Sequence, residues 1–320
     1  MSDENHTDGS NYGYTPSASW CIAFIVLFSV SATVHSIQAF RFRYWIVYPT
    51  LVLGALTEIL GWSARYWSSQ NVTLLTPFLM QISTLIMAPV FFSAYDYVVL
   101  GMAINRLGPQ YSLLKPKYYF ATFITADVIS LVLQAIGGGK ASAAAGDGVP
   151  TASATNIMVA GIIFQLISMG IFMLLGADFI IRATAEKPYQ FQLRRIATET
   201  EKRTRRSSAQ TLTEVDTESQ GKPEQDTEAQ HVREEQSSEH EHIRAWWILL
   251  VGVAISSTMI LIRGIYRSIE LTQGWTGHLM TTEMYQNILD ALMMLIAVVI
   301  YNFINPGYLL PKKKTWRGYH

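Results

Sequence analysis

The chain's 320 residues are half hydrophobic and only 15% charged, with zero formal net charge and a mean hydropathy of +0.20. That balance leaves no basic footprint for a nucleic-acid partner. The lone cysteine, Cys21, rules out an intramolecular disulfide, and the few charges leave room for long apolar stretches of the kind that cross a lipid bilayer.

Residues 1–19 are rich in Ser, Asn, Thr and Gly and carry Asp3, Glu4 and Asp8, so they read as a disordered extracellular tail. No basic n-region precedes the first apolar stretch, which is therefore expected to be an anchor and not a cleaved signal. Seven stretches then have the roughly 20 apolar residues that a spanning helix needs. They run over about 20–40, 45–67, 75–101, 118–138, 156–182, 245–271 and 282–305. The second holds Glu58 and Arg65, seven apart and so on one helix face. Pro89 in the third removes a backbone donor, which predicts a kink and a freed carbonyl inside the membrane; Tyr95-Asp96-Tyr97 follows it. The fourth carries Asp127, Ser130 and Gln134 at i, i+3 and i+7, and Gly137-Gly138-Gly139 is expected to end it, leaving a flexible loop over 139–155. The fifth adds Gly161 and Gln165.

Helices 1–5 thus occupy 20–182 and helices 6–7 occupy 244–305, separated by a polar insertion over 183–243. The insertion has almost nothing apolar after Ile196, so it cannot offset its chain entropy and reads as a disordered cytoplasmic loop. Within it, Arg203-Thr204-Arg205-Arg206-Ser207-Ser208 reads either as solvated linker or as a kinase target whose phosphate would reverse the local charge. Residues 306–320 form a basic cytoplasmic tail with Lys312, Lys313 and Lys314.

Lys and Arg placement sets the orientation. With the amino terminus outside, Arg41, Arg43, Arg106, Lys115, Lys117, Arg182, Lys187 and Arg244 all fall at cytoplasmic span ends, while Arg65 and Lys140 fall at outer ends. The glycosylation sequons at Asn5 and Asn71 then lie outside, and Trp20, Trp62, Trp67, Trp246, Trp247 and Trp275 sit where an aromatic belt would. The reading is an all-α integral membrane protein of seven transmembrane helices, amino terminus outside and carboxyl terminus cytoplasmic, most simply in the plasma membrane.

The last two spans mirror one another. Arg263, Arg267 and Glu270 fall at i, i+4 and i+7, and Glu283, Asn287 and Asp290 repeat those offsets. In an antiparallel hairpin Glu270 is level with Glu283, and Arg263 with Asp290. Charge at such depth costs about 2.5–3.5 kcal/mol per residue on insertion scales, so it is rare unless paired or functional. At 1.5 Å of rise per residue, Glu58, Arg65, Gln134, Arg263, Arg267, Glu270, Glu283 and Asp290 fall in the outer half. Asp96 and Asp127 fall deeper. Two readings stand side by side: an outward-opening polar cavity that binds substrate, and an ion-pair network that fixes helix packing. The six embedded acids (Glu58, Asp96, Asp127, Glu270, Glu283 and Asp290) outnumber the three bases (Arg65, Arg263 and Arg267), so three acids need a proton, water or a cationic ligand.

Other chemistries find no motif. Gly139-Lys140 has no glycine five residues upstream, as a P-loop requires, and the histidines His35 and His278 lack partners at metal-ligand spacing. The seventh span has no lysine for a retinal Schiff base, and Asn305-Pro306-Gly307-Tyr308 is one residue short of a receptor motif. No enzyme, metal or cofactor is expected.

Six pieces in order resemble the fungal lipid-translocating exporter family, of the aminocholesterol-resistance and sphingoid long-chain-base exporter type. They are Glu58-x-x-Gly61-Trp62-x-x-Arg65; Ala88-Pro89 with Ala94 and Tyr97; Asp127-x-x-Ser130-x-x-x-Gln134-x-x-Gly137-Gly138; Gly161 with Gln165; Arg263-x-x-Tyr266-Arg267-x-x-Glu270; and Glu283-x-Tyr285 with Asp290-Ala291. Met102, where Arg is expected, and Asn305, where His is commoner, depart from the pattern away from the polar constellation. The resemblance implies seven spans, an external amino terminus and a role in moving amphipathic lipids or resisting toxic ones. The expected function is export of an amphipathic lipid or xenobiotic, sphingoid bases leading, with the acids meeting the amine, the arginines holding the acids or a head group, and Pro89 allowing bending. The alternative is a seven-span receptor-like sensor of lipid stress.

Overall fold

The computed structural model describes residues 13–147, 149–195, 197–198, 225–273 and 277–309. Seven helices among them are long and apolar enough to cross a membrane: α1 (Ala18–Phe42), α2 (Trp45–Gln70), α3 (Leu75–Leu107), α4 (Pro116–Gly146), α5 (Ala152–Thr184), α6 (Gln225–Thr272, apolar over Arg244–Thr272) and α7 (Glu283–Leu309). No strand occurs among the described residues. Each helix packs on its neighbour in sequence, α7 returns to α1, and α3 crosses the ring to meet α6. A helix satisfies its own backbone polar groups, which hydrocarbon cannot do, so length and apolarity alone dictate these elements. Lipid-facing positions such as Phe40, Leu174 and Ile181 stay exposed, while Trp62, Tyr95, Tyr97, Phe172 and Tyr301 fill the interior.

Small residues set the closest approaches. A Cβ on Gly137 would stand 2.4 Å from the Met158 amide nitrogen of α5, and one on Gly161 would stand 2.9 Å from Gln134 Cγ. Gly61 makes the same room for Leu85 between α2 and α3. In lipid, where helices gain nothing by hiding apolar surface from one another, such contacts carry the association.

Among the described residues two stretches are wound as π-helix: Tyr48–Val52, which begins Tyr48-Pro49, and Gln286–Leu292 in α7. The wider turn in α7 brings Gln286, Asn287, Asp290 and Ala291 together on the buried side.

The structure differs from the sequence expectation in three places. The glycine triple does not end the fourth helix: α4 runs on to Gly146, because opening backbone hydrogen bonds in apolar surroundings costs more than glycine's low helix propensity. Residues 190–195 are helical and α6 begins at Gln225, so parts of the 183–243 insertion that composition marked as disordered have regular structure. Gln192 Nε2 holds the first of these parts to the carbonyls of Ser112 and Leu113. The second extends an existing helix through good helix formers, which needs no new nucleus. Finally, the end of the 1–19 tail is packed: Gly13 lies against Thr281, and Tyr14 packs on an apolar cluster around Phe78 and Ile82. The Asn5 sequon, the Arg203–Ser208 motif, Trp275 and the lysines at 312–314 lie outside the described residues.

Candidate functional site

The α6 face of Arg263, Tyr266, Arg267 and Glu270 meets α7 at Asp290. Arg263 Nε donates to Asp290 Oδ1 at 2.5 Å, and Arg267 Nη2 donates to the other carboxylate oxygen. Arg267 Nη1 also reaches Glu270 Oε2 at 2.7 Å, and the Tyr266 hydroxyl donates to Glu270 Oε1 at 2.7 Å. Two guanidiniums and two carboxylates therefore form one continuous buried chain. Forked donors and planar acceptors suit this arrangement, which a lysine's point charge would not reproduce.

Pro89 contributes through what it lacks. Without an N–H it leaves Leu85 O, four residues earlier in α3, without a helix donor. Arg263 Nη2 donates to that carbonyl, so the break in the ladder of α3 becomes an anchor for a charged side chain of α6. Glu58 of α2 lies within electrostatic reach of Arg263, Arg267 and Asp290, yet it is 1% exposed and its Oε1 has no hydrogen-bond partner.

A second cluster closes the amino-terminal end of the bundle. Arg65 of α2 donates to Glu283 Oε1 (3.2 Å), Gln286 Oε1 (3.0 Å) and the Tyr14 hydroxyl (2.6 Å). Glu283 also accepts from the Ser17 amide at 2.8 Å. Burial raises the Tyr14 hydroxyl pKa, against the opposing pull of Arg65, so the phenol stays neutral beside the guanidinium.

Across α3 lies a third cluster, which has an acid but no basic side chain. Asp127 Oδ2 accepts from Ser93 (2.8 Å) and Tyr97 (2.9 Å), while its Oδ1 has no partner. Gln134 Nε2 donates to Ser130 Oγ (2.5 Å) and Gln165 Oε1 (3.0 Å), and Ser130 donates in turn to Gly161 O (2.6 Å). A cavity of about 20 Å³ opens between α3, α4, α5 and α6, bounded by Ser93, Tyr97, Gln134, Gln165, Arg263 and Arg267 and by aliphatic side chains. Deeper still, Asp96 accepts from Ser257 (2.9 Å) and Tyr301 (2.5 Å), tying α3 to α6 and α7.

The sequence-derived residues therefore separate into parts. Arg263, Arg267, Glu270 and Asp290 meet in one network, with Glu58 beside it; Arg65 and Glu283 form the amino-terminal cluster; Gln134 faces the cavity from α4, and Asp127 lies behind Ser93 and Tyr97. Arg263 pairs with Asp290 as the mirrored spacing predicts, and Arg267 with Glu270. Glu283 does not join Glu270; it turns to Arg65, whose charge makes the better partner. Each of the three arginines has a carboxylate, and the acids without a basic partner are Glu58, Asp96 and Asp127. Sequence reading missed Ser93, Gln286, Tyr301 and Tyr14. Ser93 was legible as the residue one turn before Tyr97, and Gln286 as the neighbour of Asn287, whereas nothing in the polar tail marks Tyr14. Among the described residues no group of three or more His, Cys, Asp or Glu side chains is placed to hold a metal ion.

Comparison with known proteins bears on this geometry. A family model described as "RTA1 like protein" matches residues 51–313, which span Glu58 and every side chain of the network. The sphingoid long-chain base transporter RSB1 of Saccharomyces cerevisiae is 32% identical over 314 residues, covering 95% of this chain and 75% of that protein. Protein RTA1 of the same yeast is 25% identical over 91% of this chain and 83% of its own length, and protein RTM1 is 23% identical over 93% and 92%. No solved structure is significantly similar. With most of its length under the family model and a relative above 30% identity across nearly the whole sequence, the chain belongs to the RTA1-like family.

Proposed function

We propose that the protein exports amphipathic lipids or xenobiotics, with sphingoid long-chain bases the leading substrate class, and so confers resistance to them. The observation that carries the reading is the surplus of buried acid. Glu58, Asp96 and Asp127 have no basic partner while each embedded arginine has one, so a cation entering this low-dielectric interior gains more than it would in water. The name of the RSB1 relative, a transporter of sphingoid bases, supports the same direction. Glu58 and Asp127 favour the amine, and Gln134, Arg263 and Arg267 border the cavity for the rest of the head group. Arg65, Glu283 and Glu270 hold the entrance end. In this reading the amino terminus is external, as the Lys and Arg distribution favours, and the membrane is the plasma membrane, where export would take effect.

The test is directional flux. Purified protein in liposomes should move a sphingoid base from one leaflet to the other faster than empty liposomes do, and a Glu58→Gln, Asp127→Asn variant should not. A specific observation favours the alternative, a receptor-like sensor: the cavity is about 20 Å³, against roughly 10–15 Å³ needed for one water, so this cavity is too small for a whole lipid. A sensor would bind the lipid without accelerating its movement.

A further inference from the structure

Residues 185–195 are built onto the end of the bundle where α3 leaves and α4 enters. α5 stops at Thr184, and Glu186 turns the chain in a left-handed conformation (φ 53°), of the kind on which helices commonly end. The Tyr189 amide donates to Gln110 O at 2.9 Å, and Gln192 Nε2 donates to Ser112 O and Leu113 O, so the 190–195 helix is pinned to the α3–α4 loop. Tyr189 is held through its side chain too. Its hydroxyl donates to Asp178 Oδ2 at 2.8 Å, and the Arg182 guanidinium, paired with Asp178 at 2.9 Å, stands 3.9 Å from its ring centroid.

This docking buries Gln192 and leaves the other side chains of the helix exposed. Gln192 is 4% exposed, whereas Phe191 is 48% and Leu193 39% exposed, with Leu113 of the loop at 42%. All three apolar residues lie outside the seven spans, so the hydrocarbon that covers Phe40 or Leu174 does not account for them. Exposed cations stand at the same end: Arg106 in the last turn of α3, Lys117 in the first turn of α4, then Lys187 and Arg194. Glu186 is the one acid in 105–118 and 182–195. Only residues 185–189 separate the helix from α5, so it cannot leave the level at which the spans end. Apolar tips flanked by cations at that level match the boundary of a lipid leaflet, where acyl chains meet charged headgroups.

We infer that the 190–195 helix and the α3–α4 loop form a docking surface for anionic lipid headgroups of the leaflet at this end. Leu113, Phe191 and Leu193 enter its apolar border, and Lys117, Lys187 and Arg194 meet the headgroup charge. The inference does not depend on what the protein transports.

Hydrogen exchange of the full-length protein in nanodiscs tests it, comparing phosphatidylcholine alone with a mixture that includes phosphatidylserine. The amides of 190–195 should exchange at least about fivefold more slowly in the mixture, since each basic side chain at an anionic surface contributes roughly that factor. Raised salt should erase the difference. Replacing three exposed cations together, Lys117→Gln, Lys187→Gln and Arg194→Gln, should erase it as well. Phe191→Ser with Leu193→Ser should lower the protection in the mixture, as an inserted apolar face requires. Equal exchange of the parent in the two lipids overturns the inference and leaves this face to a protein partner. A difference untouched by the triple variant, or protection untouched by the apolar pair, overturns it too.

Discussion

Asp290 is the point at which the charge network can be broken most informatively. It accepts from Arg263 through one oxygen and from Arg267 through the other. Asp290→Ala leaves Arg267 with Glu270 but leaves Arg263 with only the Leu85 carbonyl. Removing one partner of a buried pair costs about 3–5 kcal/mol. Arg263→Ala is milder, since Asp290 keeps Arg267; its cost comes mainly from the Leu85 carbonyl losing its donor, about 1–3 kcal/mol. The double variant removes both charges and leaves Arg267–Glu270 as a balanced pair, so the coupling should return about 1–3 kcal/mol. Thermal unfolding of the purified proteins in one detergent should therefore rank Asp290→Ala lowest, with the double variant no worse than that single. Losses that add to within about 0.3–0.5 kcal/mol would mean that the two side chains act independently, and the network described above would not be what holds α6 to α7.

Glu58→Gln and Asp127→Asn keep shape and lose charge; each should reach the membrane at parental abundance yet lose resistance to amine-bearing lipids, while neutral amphipaths are affected less. Parental resistance to amines in both variants would make these acids structural. Pro89→Ala supplies an N–H that shares the Leu85 carbonyl with Arg263, so the anchor should weaken and offset part of the helix-propensity gain; the unfolding temperature should rise by less than the equivalent of the roughly 3 kcal/mol that propensity alone gives, and the full gain would contradict the anchoring role. Gly137→Ala places a Cβ against the Met158 backbone, and should cost about 1–3 kcal/mol through overpacking, read as lower abundance of a fluorescent fusion. Protease outside intact cells should spare the segment between α5 and α6, and protease on inside-out vesicles should cut it; the reverse pattern would invert the proposed orientation.

The seven spans were legible because a bilayer-length apolar run has few alternatives once its backbone must bond internally. The face shared by Arg263, Arg267 and Glu270 followed from helical periodicity, and the Arg263–Asp290 pair from matching rise along two adjacent antiparallel helices. The freed carbonyl before Pro89 was legible too, as a covalent consequence of the proline ring. What tertiary structure decided was who answers each of these groups. That Leu85 O is met by Arg263 depends on α3 crossing to α6, which no local pattern encodes. That Asp290 serves two arginines depends on the π-wound turn of α7, which shifts side chains away from the 3.6-residue period used to assign faces. Glu283 was equally placed by depth to meet Glu270, and its pairing with Arg65 was settled by the long Arg65 side chain reaching from α2 to the start of α7 and by the attraction between unlike charges. The continuation of α4 through three glycines, and the docking of Tyr14 onto Arg65, have the same origin. Local propensity sets what a segment does alone, but contacts with neighbouring helices, in a medium that punishes every unpaired polar group, set what it does in the bundle.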